Sequence, residues 1–142
     1  MTLTFFIAAV LYLIITALGV YFLPSMSVLV YLGMIYLLPP VMNYILVTIR
    51  KHKKEKFILS LVLPVFSTLF YAAFSWITEK TGTWMTFIEK NSMSSDSLTV
   101  EIDPNGFDTT QIIFMLLTYF GISLALYFLL NRKEVKSGEK YA

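Results

Sequence analysis

The sequence has no cysteine and a single histidine, and only 14% of its residues are charged. The missing thiols exclude disulfides, cysteine-ligated zinc and thiol catalysis, and they leave the redox compartment unread. His52 stands among lysines in a polar stretch, a place for contact with lipid headgroups rather than for catalysis or metal binding. Charge is missing altogether from four long runs, residues 3–23, 27–49, 57–77 and 112–130. Proton- and ion-coupled carriers, pumps and voltage sensors depend on ionisable groups inside the membrane, so this absence argues against those mechanisms. The chain also lacks a phosphate-cradling glycine loop, a zinc-protease helix and a nucleophile elbow. Glu101, Asp103 and Asp108 are near enough in sequence to hold a hard cation through oxygen. Their spacing fits no EF-hand, and acids solvated outside the membrane are the expected reading. Neither a metal nor a cofactor is expected.

What remains is apolar. Hydrophobic residues make up 57% of the chain and the mean hydropathy is +0.72, against about 45–50% apolar in soluble domains. Each of the four runs is close to the roughly 20 residues that cross a bilayer as a helix. The first is too long for the core of a signal peptide and has no basic residue before it, so it reads as a retained span. Pro24-Ser25 separates it from the second by a tight turn, which makes those two helices antiparallel neighbours. The expected fold is all-α: an integral membrane four-helix bundle forming one domain over residues 1–142, with a partly structured extracytoplasmic loop at 78–111 between helices 3 and 4 and a tail at 131–142. No internal repeat is visible.

The cations set the orientation. Arg50, Lys51, Lys53, Lys54 and Lys56 supply five of the eleven Lys and Arg, and Arg132, Lys133, Lys136 and Lys140 supply four more. Residues 78–111 hold only Lys80 and Lys90, beside six acids. By the positive-inside rule the termini and the basic loop are cytoplasmic and the long loop is outside. A bacterial plasma membrane is the expected location, read from the compactness of the chain. Arg50, Lys51, Lys53, Lys54, Lys56, Arg132 and Lys133 are then placed to meet anionic headgroups, each gaining about 1 kcal/mol near such a surface. Tyr21, Phe22, Trp76 and Trp84 fall near the outer interface, where amphipathic rings are favoured.

Within the long loop, residues 83–90 have the apolar spacing of a short amphipathic helix lying over the bundle as a lid. Leu98, Val100 and Ile102 alternate with polar residues as in a strand. Asp103-Pro104-Asn105-Gly106 predicts a chain reversal. Asp108 and Gln111 have the form of a capping box at the start of the fourth helix.

Small and weakly polar residues recur at three- and four-residue steps along each span: Thr4, Ala8, Tyr12, Thr16 and Gly19; Gly33, Tyr36, Pro40 and Asn43; Ser60, Pro64, Ser67, Tyr71 and Ser75; and Thr118, Gly121 and Ala125, with Tyr119, Ser123 and Tyr127 alongside. Such stripes let helices approach and bond across their interface. Thr68 with Ala72 and Gly121 with Ala125 form small-xxx-small pairs, candidates for helix packing.

The prolines point to a second candidate site. Each removes a backbone donor and frees the carbonyl four residues earlier, so Pro39 and Pro40 release Ile35 and Tyr36, and Pro64 releases Ser60. Lipid cannot satisfy those carbonyls. Pro40 and Pro64 lie about 14 and 11 Å from the cytoplasmic ends of their runs, and Asn43 about 9 Å, at 1.5 Å per residue. Asn43 is therefore expected to face the third helix and reach the Ser60 carbonyl or hydroxyl. Tyr36, Pro39, Pro40, Asn43, Ser60 and Pro64 form either a sealed kink or a small polar ligand site.

With no evident chemistry, the expected function is non-catalytic: an accessory, regulatory or immunity-type membrane protein acting by helix–helix or outer-loop contact with another membrane protein. The alternative is a small oligomeric channel or transporter for a neutral or hydrophobic solute. An enzyme would require the acids of the 78–111 loop to act alone. The expected partners are membrane lipids and a membrane protein or further copies of the chain, with no nucleic acid.

Overall fold

The computed structural model describes residues 2–94, 99–100 and 102–139. They form six helices: α1 (Thr2–Phe22), α2 (Val28–Leu32), α3 (Leu38–Thr48), α4 (Lys53–Lys80), α5 (Thr83–Asn91) and α6 (Thr109–Glu139). A π-helical turn, Gly33–Leu37, joins α2 to α3 into one continuous span. Four helical segments are long and apolar enough to cross a membrane: Thr2–Ser25, Val28–Thr48, Lys53–Lys80 and Thr109–Arg132. Their outward faces carry exposed large apolar residues, among them Leu13, Leu29, Leu117 and Phe128. Water would make such a surface costly, whereas lipid matches it.

α4 is the central helix. It packs against α1, α3 and α6, and half of its most apolar stretch is buried, a larger share than in any other span. Its buried face includes Ser60, Pro64, Ser67, Tyr71 and Ser75, the stripe read from the sequence. α1 likewise buries Thr4, Ala8, Tyr12 and Gly19, while Thr16 is half-buried and bonds back to the Tyr12 carbonyl at 2.7 Å. Gly19 permits a close approach: a β-carbon there would lie 3.0 Å from both the Met34 sulfur and the Phe74 ring.

The second span departs from the expected face. Its buried residues are Ile35, Pro39, Asn43, Leu46 and Val47, whereas Gly33 is half-buried and Tyr36 is 40% exposed. The π turn explains the shift. Consecutive prolines at 39 and 40 cannot donate, and the chain answers with a wider turn in which the Leu38 amide reaches back to Gly33. The extra residue in that turn rotates everything before the prolines relative to everything after them, so a stripe drawn at regular α-helical steps misses the core face.

The described parts of the 78–111 segment close one end of the bundle. α4 ends at Thr81 and Gly82, and Gly82, at φ 74°, takes the left-handed conformation that turns the chain into α5. α5 lies over the turn between the first two spans. Lys90 Nζ donates to the Ser25 carbonyl at 2.6 Å, and Asn91 Nδ2 to the Met26 carbonyl at 3.1 Å. Its apolar side buries Phe87 and Trp84 against Tyr31. Trp84 is thus 7% exposed and part of the core, not a lipid-facing anchor; its indole N–H donates to the Asp103 carbonyl at 3.1 Å. Tyr21, Phe22 and Trp76 do remain exposed.

Met93–Ser94 and Thr99–Val100 pair as a short antiparallel ribbon. Leu98 and Glu101, two of the residues read as strand and acid cluster, lie outside the described residues. At the reversal, Asp103 Oδ1 accepts from the Asn105 amide at 2.8 Å. Gly106 lies so close under Trp84 that a β-carbon would sit 2.9 Å from the indole. Asp108 caps α6, accepting from the Thr110 amide at 3.2 Å. Gln111 does not complete a capping box, because its side-chain oxygen instead accepts from the Tyr71 hydroxyl at 2.8 Å.

Candidate functional site

Five polar side chains inside the spans, Tyr12, Asn43, Ser67, Tyr119 and Ser123, gather around the two proline kinks. Pro39 leaves the Ile35 carbonyl without its helical donor, and the Tyr119 hydroxyl of α6 donates to it at 2.7 Å. Pro64 leaves the Ser60 carbonyl in the same state, and Ser123, one turn further along α6, donates to that oxygen at 2.8 Å. Both contacts are buried. Tyr119 and Ser123 are four residues apart and share one helix face, so a single helix supplies the missing donor to both of its neighbours. In the sequence these two residues stood beside the small-residue stripe of the fourth span, yet they are the ones that face the bundle.

A second group joins the other three spans. The Tyr12 hydroxyl of α1 donates to Asn43 Oδ1 at 2.9 Å, Asn43 Nδ2 donates to Ser67 Oγ at 2.8 Å, and Ser67 Oγ lies 2.7 Å from the Tyr12 hydroxyl. With Tyr12 donating to Asn43, the single Ser67 proton is shared between the Tyr12 hydroxyl and the Leu63 carbonyl of its own helix, 3.2 Å away. The three side chains meet in buried surroundings where an unmade bond is expensive. Tyr12 also approaches the Pro39 carbonyl at 3.5 Å. Pro39 therefore belongs to both groups, and the two together link all four spans.

Asn43 thus faces α4, but it meets Ser67 rather than Ser60; the Ser60 hydroxyl bonds within its own helix to the Phe57 carbonyl at 2.7 Å. The expectation failed because it set the cytoplasmic ends of the two spans level. Asn43 is five residues from the end of α3, and Ser67 is fourteen from the start of α4. Pairing them places the start of α4 about 14 Å beyond the end of α3 at 1.5 Å per residue. Arg50, Lys51 and His52 bridge that offset. Tyr36 takes no part in either group, and Pro40 is half-buried at their edge.

Among the small-xxx-small pairs, Thr68 is buried and donates to the Pro64 carbonyl at 2.9 Å, and Ala72 is half-buried. Gly121 and Ala125 are exposed, and a β-carbon added at Gly121 would meet nothing within 4 Å. Of the cations, Lys51, Lys53, Lys54 and Arg132 are exposed, Arg50 is half-buried and Lys56 is buried. The side chain of Lys133 lies outside the described residues.

Between the second and fourth spans, beside Pro40, Asn43, Tyr119 and Ser123, the free space is about 10 Å³. That is room for about one water at most; on the other side of the bundle an open groove of about 280 Å³ between α1 and α4 reaches Tyr12 and Thr16 but is otherwise lined by apolar residues. Among the described residues no three His, Asp or Glu side chains gather as metal ligands. What this arrangement does chemically is satisfy backbone oxygens and fix the relative register of the helices. No family model, no curated protein and no solved structure matches the chain.

Proposed function

We propose that the chain is a non-catalytic multi-pass membrane protein that works by contact with another membrane protein, in an accessory, regulatory or immunity-type role. The observation that carries this reading is a division of labour among the polar and small residues. Tyr12, Asn43, Ser67, Tyr119 and Ser123 are consumed inside the bundle, while Gly121 and Ala125 are exposed on α6 and, among the described residues, nothing lies within 4 Å of a β-carbon placed at Gly121. Small residues on a lipid-facing helix surface let a second helix approach closely. A solute path would require the Tyr12–Asn43–Ser67 ring to open, and the packing gives that reading no support.

The positive-inside rule supports an orientation in which both termini and the 49–52 loop are cytoplasmic and the 78–111 segment is outside. In that orientation α5 offers a second contact surface on the far side of the membrane, and Lys51, Lys53, Lys54 and Arg132 meet cytoplasmic headgroups.

The test is photo-crosslinking in living cells, with the reactive residue placed at Ala125 and, as control, at the lipid-facing Leu13. One reproducible heterologous membrane protein is expected at 125 and not at 13, and Gly121→Leu is expected to remove most of that product by keeping the second helix away. Lipid adducts alone, a second copy of this chain as the sole product, or an equal yield at both positions would overturn the proposal.

A further inference from the structure

At the α5 end of the bundle, a cavity of about 250 Å³ lies between the second, third and fourth spans and the segment around Asp103. It is distinct from the buried groups that seal the kinks and far larger than the space beside Pro40, Asn43, Tyr119 and Ser123. From its lining and its setting, we infer that it binds the head of an amphiphile that is uncharged and bears hydroxyl groups, such as a glyceride or glycolipid head, with the apolar tail leaving into the membrane.

The position of the cavity supplies the amphiphile. It sits at the end of the spans, where Gln111 is only the third residue of α6, and its rim on the membrane side is formed by Leu32, Tyr36 and Phe114, all exposed on the outer surface of the bundle. A molecule with an apolar chain can therefore lie against these side chains and insert its head between the second and fourth spans. Ile35 and Met115, both buried, form an apolar wall further in.

The lining selects the head. Among the described residues, the hydroxyls of Tyr31 and Tyr36 have no hydrogen-bond partner in the protein, and the side-chain N–H groups of Gln111 have none either, its oxygen being taken by Tyr71. These are donors and acceptors held in a partly apolar cavity, where a matching ligand gains the bonds and a ligand without hydroxyls leaves them unmade. Among the described residues no Lys, Arg or His lines the space, and Asp103 does. Burying an anionic head there without a cation would be costly. An ammonium head needs open aromatic faces or a free carboxylate. Tyr31 already stacks with Trp84 and Phe87 at 5.5 and 5.2 Å and Trp84 with Phe87 at 5.3 Å, while the carboxylate of Asp103 is exposed to solvent, where an ion pair is weak. The uncharged, hydroxylated head is what these contacts leave room for.

Trp84 lines the cavity, and the chain has only one other tryptophan, so a Trp76→Phe background makes Trp84 the sole reporter. The full chain, in nanodiscs of zwitterionic lipid, is titrated with three probes sharing one chain brominated near the head: a monoacylglycerol, a fatty acid held anionic at alkaline pH, and an alkyltrimethylammonium. The monoacylglycerol is expected to quench Trp84 at a mole fraction several-fold below that of either charged probe. Tyr31→Phe with Tyr36→Phe is expected to raise that mole fraction about tenfold, the effect of two modest hydrogen bonds. Neither hydroxyl has a partner in the fold, so the variant should melt like its parent; if it does not, Tyr36→Phe alone, at the exposed rim, is expected to give about a threefold rise. Equal quenching by all three probes, preference for a charged head, or a titration unmoved by removing the hydroxyls would overturn the inference.

Discussion

Replacing Asn43 with leucine is expected to destabilise the bundle by about 2–3 kcal/mol, the largest effect of any single polar substitution in the spans. Leucine keeps most of the volume but deletes both bonds of the amide, taking the nearest acceptor from the Tyr12 proton and a donor from Ser67 in a site where Asn43 itself is 3% exposed. Because the three residues close a ring, their contributions should not add. Tyr12→Phe, costly in the parent chain, should cost little once Asn43 is gone, with a coupling of about 1 kcal/mol or more in a double-mutant cycle. Reversible unfolding in bicelles measures each corner. Simple additivity would mean that the ring does not act as a unit.

The second large effect concerns α6 and the prolines. Ser123→Ala and Tyr119→Phe are each expected to cost about 1–2 kcal/mol, because each leaves a proline-freed carbonyl without a protein donor in buried surroundings. The decisive comparison restores the missing backbone donor. In a Pro64→Ala chain the residue 64 amide can bond to the Ser60 carbonyl again, so Ser123→Ala should lose most of its cost. Pro39→Ala should relieve Tyr119→Phe in the same way through the Ile35 carbonyl. If either hydroxyl deletion costs as much without its proline as with it, the hydroxyl serves packing rather than the kink.

Much of this was legible in the sequence because lipid is a strict solvent. Four uncharged runs of about 20 residues permit little besides four helices, and the stripes on α1 and α4 emerge from plain helical spacing since both helices are regular. The second span was not legible in the same way. Two adjacent prolines announce a kink and name the carbonyls it frees, yet not whether the chain responds by bending or by widening a turn. The π turn at Gly33–Leu37 did the latter and moved Tyr36 off the core face.

Which face of α6 turns inward was also undetermined. Gly121-Ala125 and Tyr119-Ser123 are equally plausible stripes until the carbonyls at Ile35 and Ser60 are seen to need donors; the signal was present, but in the prolines of other helices rather than in α6. The pairing of Asn43 with Ser67 depended on the offset between α3 and α4, a length that hydropathy does not report, since the first turn of α4 is charged. Trp84 was misread for a similar reason. An aromatic near an interface serves as a lipid anchor or a core residue according to what folds over it, and here α5 and Gly106 enclose it.

The central claim is that the polar groups within the spans are sealed against one another and line no water path. The absence of native cysteine makes this directly measurable, because Ser67→Cys introduces the only thiol at the heart of the ring. Vesicles holding this variant are exposed to a small hydrophilic thiol reagent from each side in turn, with Lys53→Cys at the exposed start of α4 as the reactive control. The control is expected to label from one side, and Cys at position 67 from neither until the protein is unfolded. Labelling of position 67 in the folded protein, from either side and at a rate approaching that of the control, would contradict the claim and place a solute pathway through Tyr12, Asn43 and Ser67.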